Sequence, residues 1–174
     1  MSFGLTSGVI TTLGLMVGLS AGTESRIVVL GGILTIAVAD AFSDALGIHM
    51  SEESEGAHTK KEIWSSMLAT FLAKFIFTLT FLIPVLIFNL SLAVIISIIW
   101  GLSLLLAASF YLAKEQKRRP LEIISEHLSI AILVVILTHF LGLWIKNTFR
   151  QIIWWNKKVG ENPTFLLAEN LFKC

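Results

Sequence analysis

The chain of 174 residues is 55% hydrophobic and only 14% charged, and its mean hydropathy is +0.83. In soluble domains about a quarter of the residues are charged. The composition therefore excludes a soluble domain and predicts an integral membrane protein. The net charge of +1, without a basic stripe interleaved with aromatic residues, gives no reason to expect nucleic acid as a partner.

Five apolar stretches are each long enough to cross a bilayer as a helix, which takes about 20 residues. We predict an all-α integral membrane bundle of five transmembrane helices within residues 1–145. The predicted spans are residues 3–22, 27–50, 63–88, 92–112 and 121–145. Residues 146–174 are predicted to form an interfacial or extramembrane tail, because Trp154 and Trp155 stand beside Lys157 and Lys158.

The first and third predicted spans carry features that bear on packing. Gly14, Gly18 and Gly22 repeat at every fourth residue of the first span, which lets a neighbouring backbone approach closely in lipid. The same face could instead line a pathway or a dimer seam. Pro84 is expected to break the third span toward its end.

The distribution of lysine and arginine predicts the orientation. The links at residues 51–61 and 114–120 contain two and four lysine or arginine residues, whereas the opposite links contain one, Arg26. Lysine and arginine are enriched in the short cytoplasmic links of membrane proteins, so the N-terminus is placed in the cytoplasm. Five spans then put the basic tail outside, which disagrees with the rule that lysine and arginine are enriched on the cytoplasmic side. We give the short links more weight than the tail. The expected location is the plasma membrane of a prokaryote or a vacuole-type membrane of a eukaryote.

The second predicted span carries two aspartates in an otherwise apolar helix. Asp40 and Asp44 lie about 40° apart around the axis and about 6 Å apart along it, on a face that Ser43 borders. An ionisable group at this depth is costly unless it is paired, ligated or hydrated. Because two neighbouring carboxylates repel each other, we predict that a divalent cation binds them through oxygen ligands.

An ion pair with the third span is the alternative. Asp40 lies 13 residues after Ile27, and Lys74 lies 14 residues before Phe88, the outer ends of their predicted spans. At about 1.5 Å per residue both are about 20 Å deep, so an Asp40–Lys74 salt bridge would satisfy both groups. Lys74 could also snorkel to the head groups or compete with the ion. We predict that a mobile cation, rather than this lysine, neutralises the acids.

Further candidate ligands stand at the cytoplasmic end of the second span. Glu52, Glu53 and Glu55 predict a capture site that concentrates cations through its field, although a solvated charged link has the same pattern. His49 and Met50 are candidate soft ligands beside them.

Three residues are candidates for proton coupling or for an ion pair, namely Lys74, Glu126 and His139. Glu126 stands near the start of the fifth predicted span and His139 near its outer end. Packing or solvation would explain either of these two residues equally well.

Two motifs in the first 55 residues resemble those of a known family. Residues 7–14, SGVITTLG, are similar to the D-G-[LV]-[VI]-T-T-x-G opening of the vacuolar iron transporter family, which includes nodulin-like members. Ala39, Asp40, Ser43, Gly47 and residues 51–55 are similar to its motif A-D-G-L-S-M-x-x-G-E-Y-x-S-x-x-S-E. With the KRRPL run before the last span, the resemblance covers about residues 5–145.

The resemblance implies a five-span homodimer that moves iron(II) or manganese(II) out of the cytosol, in exchange for protons. The path would run between the first two helices of both protomers, which adds Ser7 to the metal site. The metal is the substrate, and no permanently bound cofactor is expected. Membrane lipid and a second copy of the chain are the implied partners.

The chain departs from the family motifs at three places. Ser7 replaces an aspartate, Asp44 replaces a methionine, and Ile48–His49 replaces Glu–Tyr. The carboxylate count is kept but moves to one helix, and the loss of the soft methionine favours manganese. The link after the second span has about ten residues, which predicts a short form without the family's glutamate-rich metal-binding domain.

The sequence predicts a transporter and no enzyme. It contains no Ser/His/Asp arrangement, no glycine-rich phosphate loop and no HExxH zinc motif. Two alternatives remain. One is a structural or regulatory membrane protein of the same fold, with an Asp40–Lys74 salt bridge in place of the site. The other is a cation channel.

Overall fold

Six helices and no strand make up the described part of the chain, residues 2–160 of a computed structural model, with side chains described for residues 4–150. They are α1 (Ser2–Thr23), α2 (Arg26–Glu55), α3 (Lys60–Thr80), α4 (Leu82–Ile87), α5 (Leu90–Glu115) and α6 (Pro120–Gly160). Together α3 and α4 form the third span, so five helical segments are long and apolar enough to cross a membrane. The predicted all-α class with five spans is confirmed.

The helix ends follow from local side-chain chemistry. Gly56 ends α2 in the left-handed conformation, at a φ of 64°. Thr59 and Glu62 then form a capping box, in which each side chain accepts a hydrogen bond from the other's backbone N–H. Helix α3 ends at Thr80, four residues before Pro84, whose ring nitrogen has no hydrogen to donate to the Thr80 carbonyl.

Helix α1 lies at the centre and packs against α2, α3, α5 and α6. Three of its glycines lie in the contact with α6. A Cβ atom added at Gly18 or at Gly22 would lie 3.3 Å from the carbonyl oxygen of Thr138 or of Gly142, both on α6. A Cβ atom at Gly14 would lie 2.8 Å from Val134 Cγ1. The glycine repeat therefore serves helix packing, as the sequence predicted.

Helix α2 lies at one side of the bundle, against α3 and α1. Its buried residues recur at every fourth position: Val29, Ile33, Ala37, Ala41 and Ala45. Large apolar side chains such as Leu34 and Leu46 lie on the exposed side, as expected for contact with lipid. Asp40 and Asp44 lie beside the buried stripe, so the fold turns them toward α1 and α3.

Helix α6 does not end at residue 145 but continues to Gly160. Glu24, in the turn between α1 and α2, forms an ion pair with Lys146 of α6. The hydrogen bond and the charge of Lys146 hold the pKa of Glu24 below its ordinary value of 4.5. The stabilisation from this pair is therefore present above that ordinary pKa and is lost as the pH falls through the lowered pKa. The last part of the predicted tail, residues 161–174, lies outside the described residues.

Candidate functional site

Lys74 of α3 joins the two aspartates of α2. Its Nζ atom lies 2.7 Å from Asp40 Oδ2 and also forms an ion pair with Asp44 Oδ2. The lysine side chain is only 1% exposed, so its ammonium group is held in place by these partners rather than by water. Because the aspartates are one helical turn apart, a single ammonium group can contact both.

Two hydroxyl groups of α1 complete this cluster. Ser7 Oγ donates a hydrogen bond of 2.7 Å to Asp44 Oδ2 and accepts one of 3.0 Å from Lys74 Nζ. Thr11 Oγ1 lies 2.9 Å from Asp40 Oδ2, as a donor. We refer to Ser7, Thr11, Asp40, Asp44 and Lys74 as the charged cluster.

Glycine on α1 makes room for the lysine. A Cβ atom at Gly8 would lie 3.0 Å from Lys74 Cγ, so a larger residue there would press on the lysine side chain. Thr12 and Thr78 are fully buried next to it, with their hydroxyl oxygens 3.3 Å apart. The motif of α1 thus supplies both the space and the hydroxyl groups that this cluster needs.

The lysine corrects one expectation from the sequence. We expected a mobile cation, and not Lys74, to neutralise the acids, but the structure has the lysine in contact with both carboxylates. The Asp40–Lys74 ion pair that the sequence left open is therefore present. Equal depth in neighbouring helices is the physical reason, since charged groups at the same level of the bilayer can neutralise each other.

The charges of the cluster do not cancel. Two carboxylates and one ammonium group have a formal net charge of −1 when all three are ionised. The side chains of Asp40 and Asp44 are 28% and 19% exposed, whereas Lys74 is closed off. The remaining negative charge thus faces the open side of α2, where a further cation or proton would be stabilised.

The candidate ligands at the predicted cytoplasmic end of α2 form a looser group. His49 Nε2 lies 3.8 Å from Glu53 Oε2, and the His49 ring packs edge-on against Trp64 of α3. His49 Nδ1 and Glu52 Oε2 are shielded from solvent and have no hydrogen-bond partner among residues 4–150. Met50 and Glu55 are exposed. Within residues 4–150, no three His, Cys, Asp or Glu side chains come together as a metal site.

Three predicted site residues lie away from the charged cluster. Ser43 is exposed on α2, and among the described residues no hydrogen bond joins it to the charged cluster. Glu126 and His139 are exposed on α6, and neither forms an ion pair within the part of the chain that the structure describes. Of the three candidates for proton coupling or ion pairing, only Lys74 is at the aspartates.

Two polar contacts were not anticipated. Thr11 is one turn after Ser7 on α1, and this spacing was the signal that both hydroxyl groups share a face. Ser109 of α5, which is fully buried, has its hydroxyl oxygen 2.8 Å from His127 Nδ1 of α6. No motif in the sequence marked that pair.

The five apolar helices define an integral membrane protein with an ionic cluster between its first three helices. Residues 1–63 match the model of the VIT family, and they include Ser7, Thr11 and both aspartates but not Lys74. The matched residues are about a third of the chain, and over them it is similar to the VIT family. No curated protein matches the chain, and no solved structure matches it.

Proposed function

We propose that the chain carries a divalent transition metal, iron(II) or manganese(II), out of the cytosol in exchange for protons. Asp40 and Asp44 are the proposed ligands, with Ser7 as an additional oxygen donor. The observation that carries the proposal is the convergence of these oxygens with a net charge of −1 on the open side of α2. Oxygen ligands of this kind suit manganese(II) and also accept iron(II).

Lys74 has a defined part in this proposal. In the absence of metal its ammonium group is the counter-charge of both carboxylates. A divalent ion at the same oxygens is repelled by that ammonium group, so binding requires the lysine to move away or to give up its proton. Competition between lysine and metal keeps the affinity low enough for release.

A second copy of the chain is the proposed partner. In lipid, a carboxylate that is 28% exposed is costly, and a symmetric partner would cover it. The exposed residues on this side of α2 include the small Ser43 and Gly47, which permit close approach of another helix. Two protomers would bring four carboxylates together around one path.

Asp44→Asn is expected to reduce metal uptake by at least about tenfold. Substituting even a residue that only hydrogen-bonds to a metal ligand typically lowers metal affinity or activity by about 10- to 100-fold. The Asp40–Lys74 pair remains in this variant, so the fold is retained. The measurement is the initial rate of manganese(II) entry into liposomes that contain the full chain and a metal-sensitive dye.

The matched control is Glu122→Gln, which removes an exposed carboxylate whose Oε1 lies 3.1 Å from Arg118 Nη2. Its uptake should equal that of the wild type. Unchanged uptake in Asp44→Asn, and in the triple variant Asp40→Asn/Asp44→Asn/Lys74→Met, would contradict the proposal. An imposed pH gradient should accelerate uptake, whereas uptake through a cation channel would follow the metal gradient and the voltage and not the pH gradient.

A structural or regulatory protein without transport is the second candidate. The contact of Lys74 with both aspartates favours it, because an ion pair of this kind ties α2 to α3 without any metal. This candidate predicts that liposomes with the wild type or with any variant of the charged cluster take up no more metal than empty liposomes.

A further inference from the structure

An apolar groove runs along the seam between α1 and α6. Its volume is about 300 Å³, and its walls include Leu15 and Leu19 of α1 and Leu141 of α6. Its floor is the glycine seam, in which Gly22 lies eight residues after Gly14. At about 1.5 Å per residue the groove is about 12 Å long and lies parallel to the helices, the direction of lipid chains.

A basic pocket continues this groove at the end of α1. The pocket has a volume of about 480 Å³, and Gly22 and Ile145 line both it and the groove. Lys146, Arg150 and Glu24 supply its charges, which sum to +1. Because α1 ends at Thr23, the pocket lies where the bundle meets the lipid head groups.

We propose that the groove and the pocket together bind one anionic phospholipid. One acyl chain lies in the groove, and the phosphate contacts Lys146 and Arg150. Lysine and arginine side chains near a bilayer surface attract acidic lipid head groups. The site is separate from the charged cluster, so this proposal does not depend on metal transport.

The charge of the head group supplies the selectivity of this site. An acyl chain gains little by leaving the bilayer for the groove, because both surroundings are apolar. The ion pair between Glu24 and Lys146 holds the lysine at the pocket, while Arg150 carries the excess charge. A zwitterionic head group would bring its own cation toward Arg150 and bind less tightly.

The full chain, purified and mixed with equimolar phosphatidylglycerol and phosphatidylcholine, should retain one phosphatidylglycerol in native mass spectrometry. Arg150→Gln keeps the Glu24–Lys146 pair and should lower this retention about fivefold, and Lys146→Gln/Arg150→Gln by at least about tenfold. The double variant Lys60→Gln/Lys61→Gln removes equal charge from exposed lysines at the opposite end of the bundle and should leave retention unchanged.

Separate outcomes would overturn the proposal. Equal retention of the two lipids, or equal loss in the two double variants, would exclude a selective site. Inorganic phosphate should not displace the lipid, and displacement by phosphate alone would assign the pocket to a free anion. Leu141→Trp should block the groove and reduce retention. If it instead converts a dimer to monomers, a second copy and not a lipid occupies the groove.

Discussion

Lys74→Met is expected to lower the free energy of unfolding by about 3–5 kcal/mol, the usual effect of removing one partner of a buried ion pair. The methionine fills most of the space of a side chain that is 1% exposed, so the loss is electrostatic rather than a cavity effect. Asp40 and Asp44 are left with their mutual repulsion and two hydroxyl groups. The measurement is unfolding of the reconstituted chain, followed by tryptophan fluorescence.

Two comparisons make this result specific. Lys61→Met changes an exposed lysine at the start of α3 and should leave stability within about 0.5 kcal/mol of the wild type. The triple variant Asp40→Asn/Asp44→Asn/Lys74→Met removes every charge of the cluster and should recover most of the loss. An equal effect of Lys61→Met, or no effect of Lys74→Met, would show that the ion pair contributes little.

Manganese(II) separates the two candidate functions in the same variant. If the aspartates bind metal, manganese(II) at about 100 times its dissociation constant should restore about 2.7 kcal/mol to Lys74→Met. The wild type should gain less, because its lysine competes for the same oxygens. A structural ion pair predicts no stabilisation by manganese(II) in either protein.

Gly142→Ala should destabilise the fold by about 1–3 kcal/mol through overpacking. This loss is expected even though alanine has a higher helix propensity than glycine. Its Cβ atom would lie 2.3 Å from the carbonyl oxygen of Gly18 and 3.0 Å from Ala21 Cβ. A backbone oxygen cannot rotate away, so α1 and α6 must separate to admit the methyl group.

Gly31→Ala is the matched control, because a Cβ atom there would meet nothing within 4 Å. It should be neutral or stabilising by up to about 1 kcal/mol. Both variants are compared by thermal unfolding in the same bilayer. A loss in Gly31→Ala as large as that in Gly142→Ala would point to the backbone conformation of glycine instead of the α1–α6 contact.

The sequence was sufficient for those features that depend on depth and periodicity. Five apolar stretches predicted the five spans, and Pro84 predicted the break in the third. Counting residues from the outer ends placed Asp40 and Lys74 at equal depth, and they are in contact. Depth alone did not indicate whether a lysine would face the aspartates or the lipid, because that depends on the rotation of α3 about its axis.

The sequence did not predict the features that depend on contacts between helices far apart along the chain. Thr11 reaches Asp40 only because α1 and α2 pack closely, and Gly8 admits Lys74 only because α3 packs against the same helix. Glu126 and His139 had suitable chemistry, but their positions on α6 turn them away from the aspartates. Residue type without a three-dimensional arrangement could not exclude them.

The length of α6 has a practical consequence for imaging a protein of 19.2 kDa. Its 41 residues extend about 60 Å, twice the hydrocarbon thickness of a bilayer of about 30 Å. A rod of this length must protrude from the lipid or tilt strongly. A rigid fusion partner joined in helical register after Gly160 would therefore give electron microscopy a fixed alignment marker without altering the five spans.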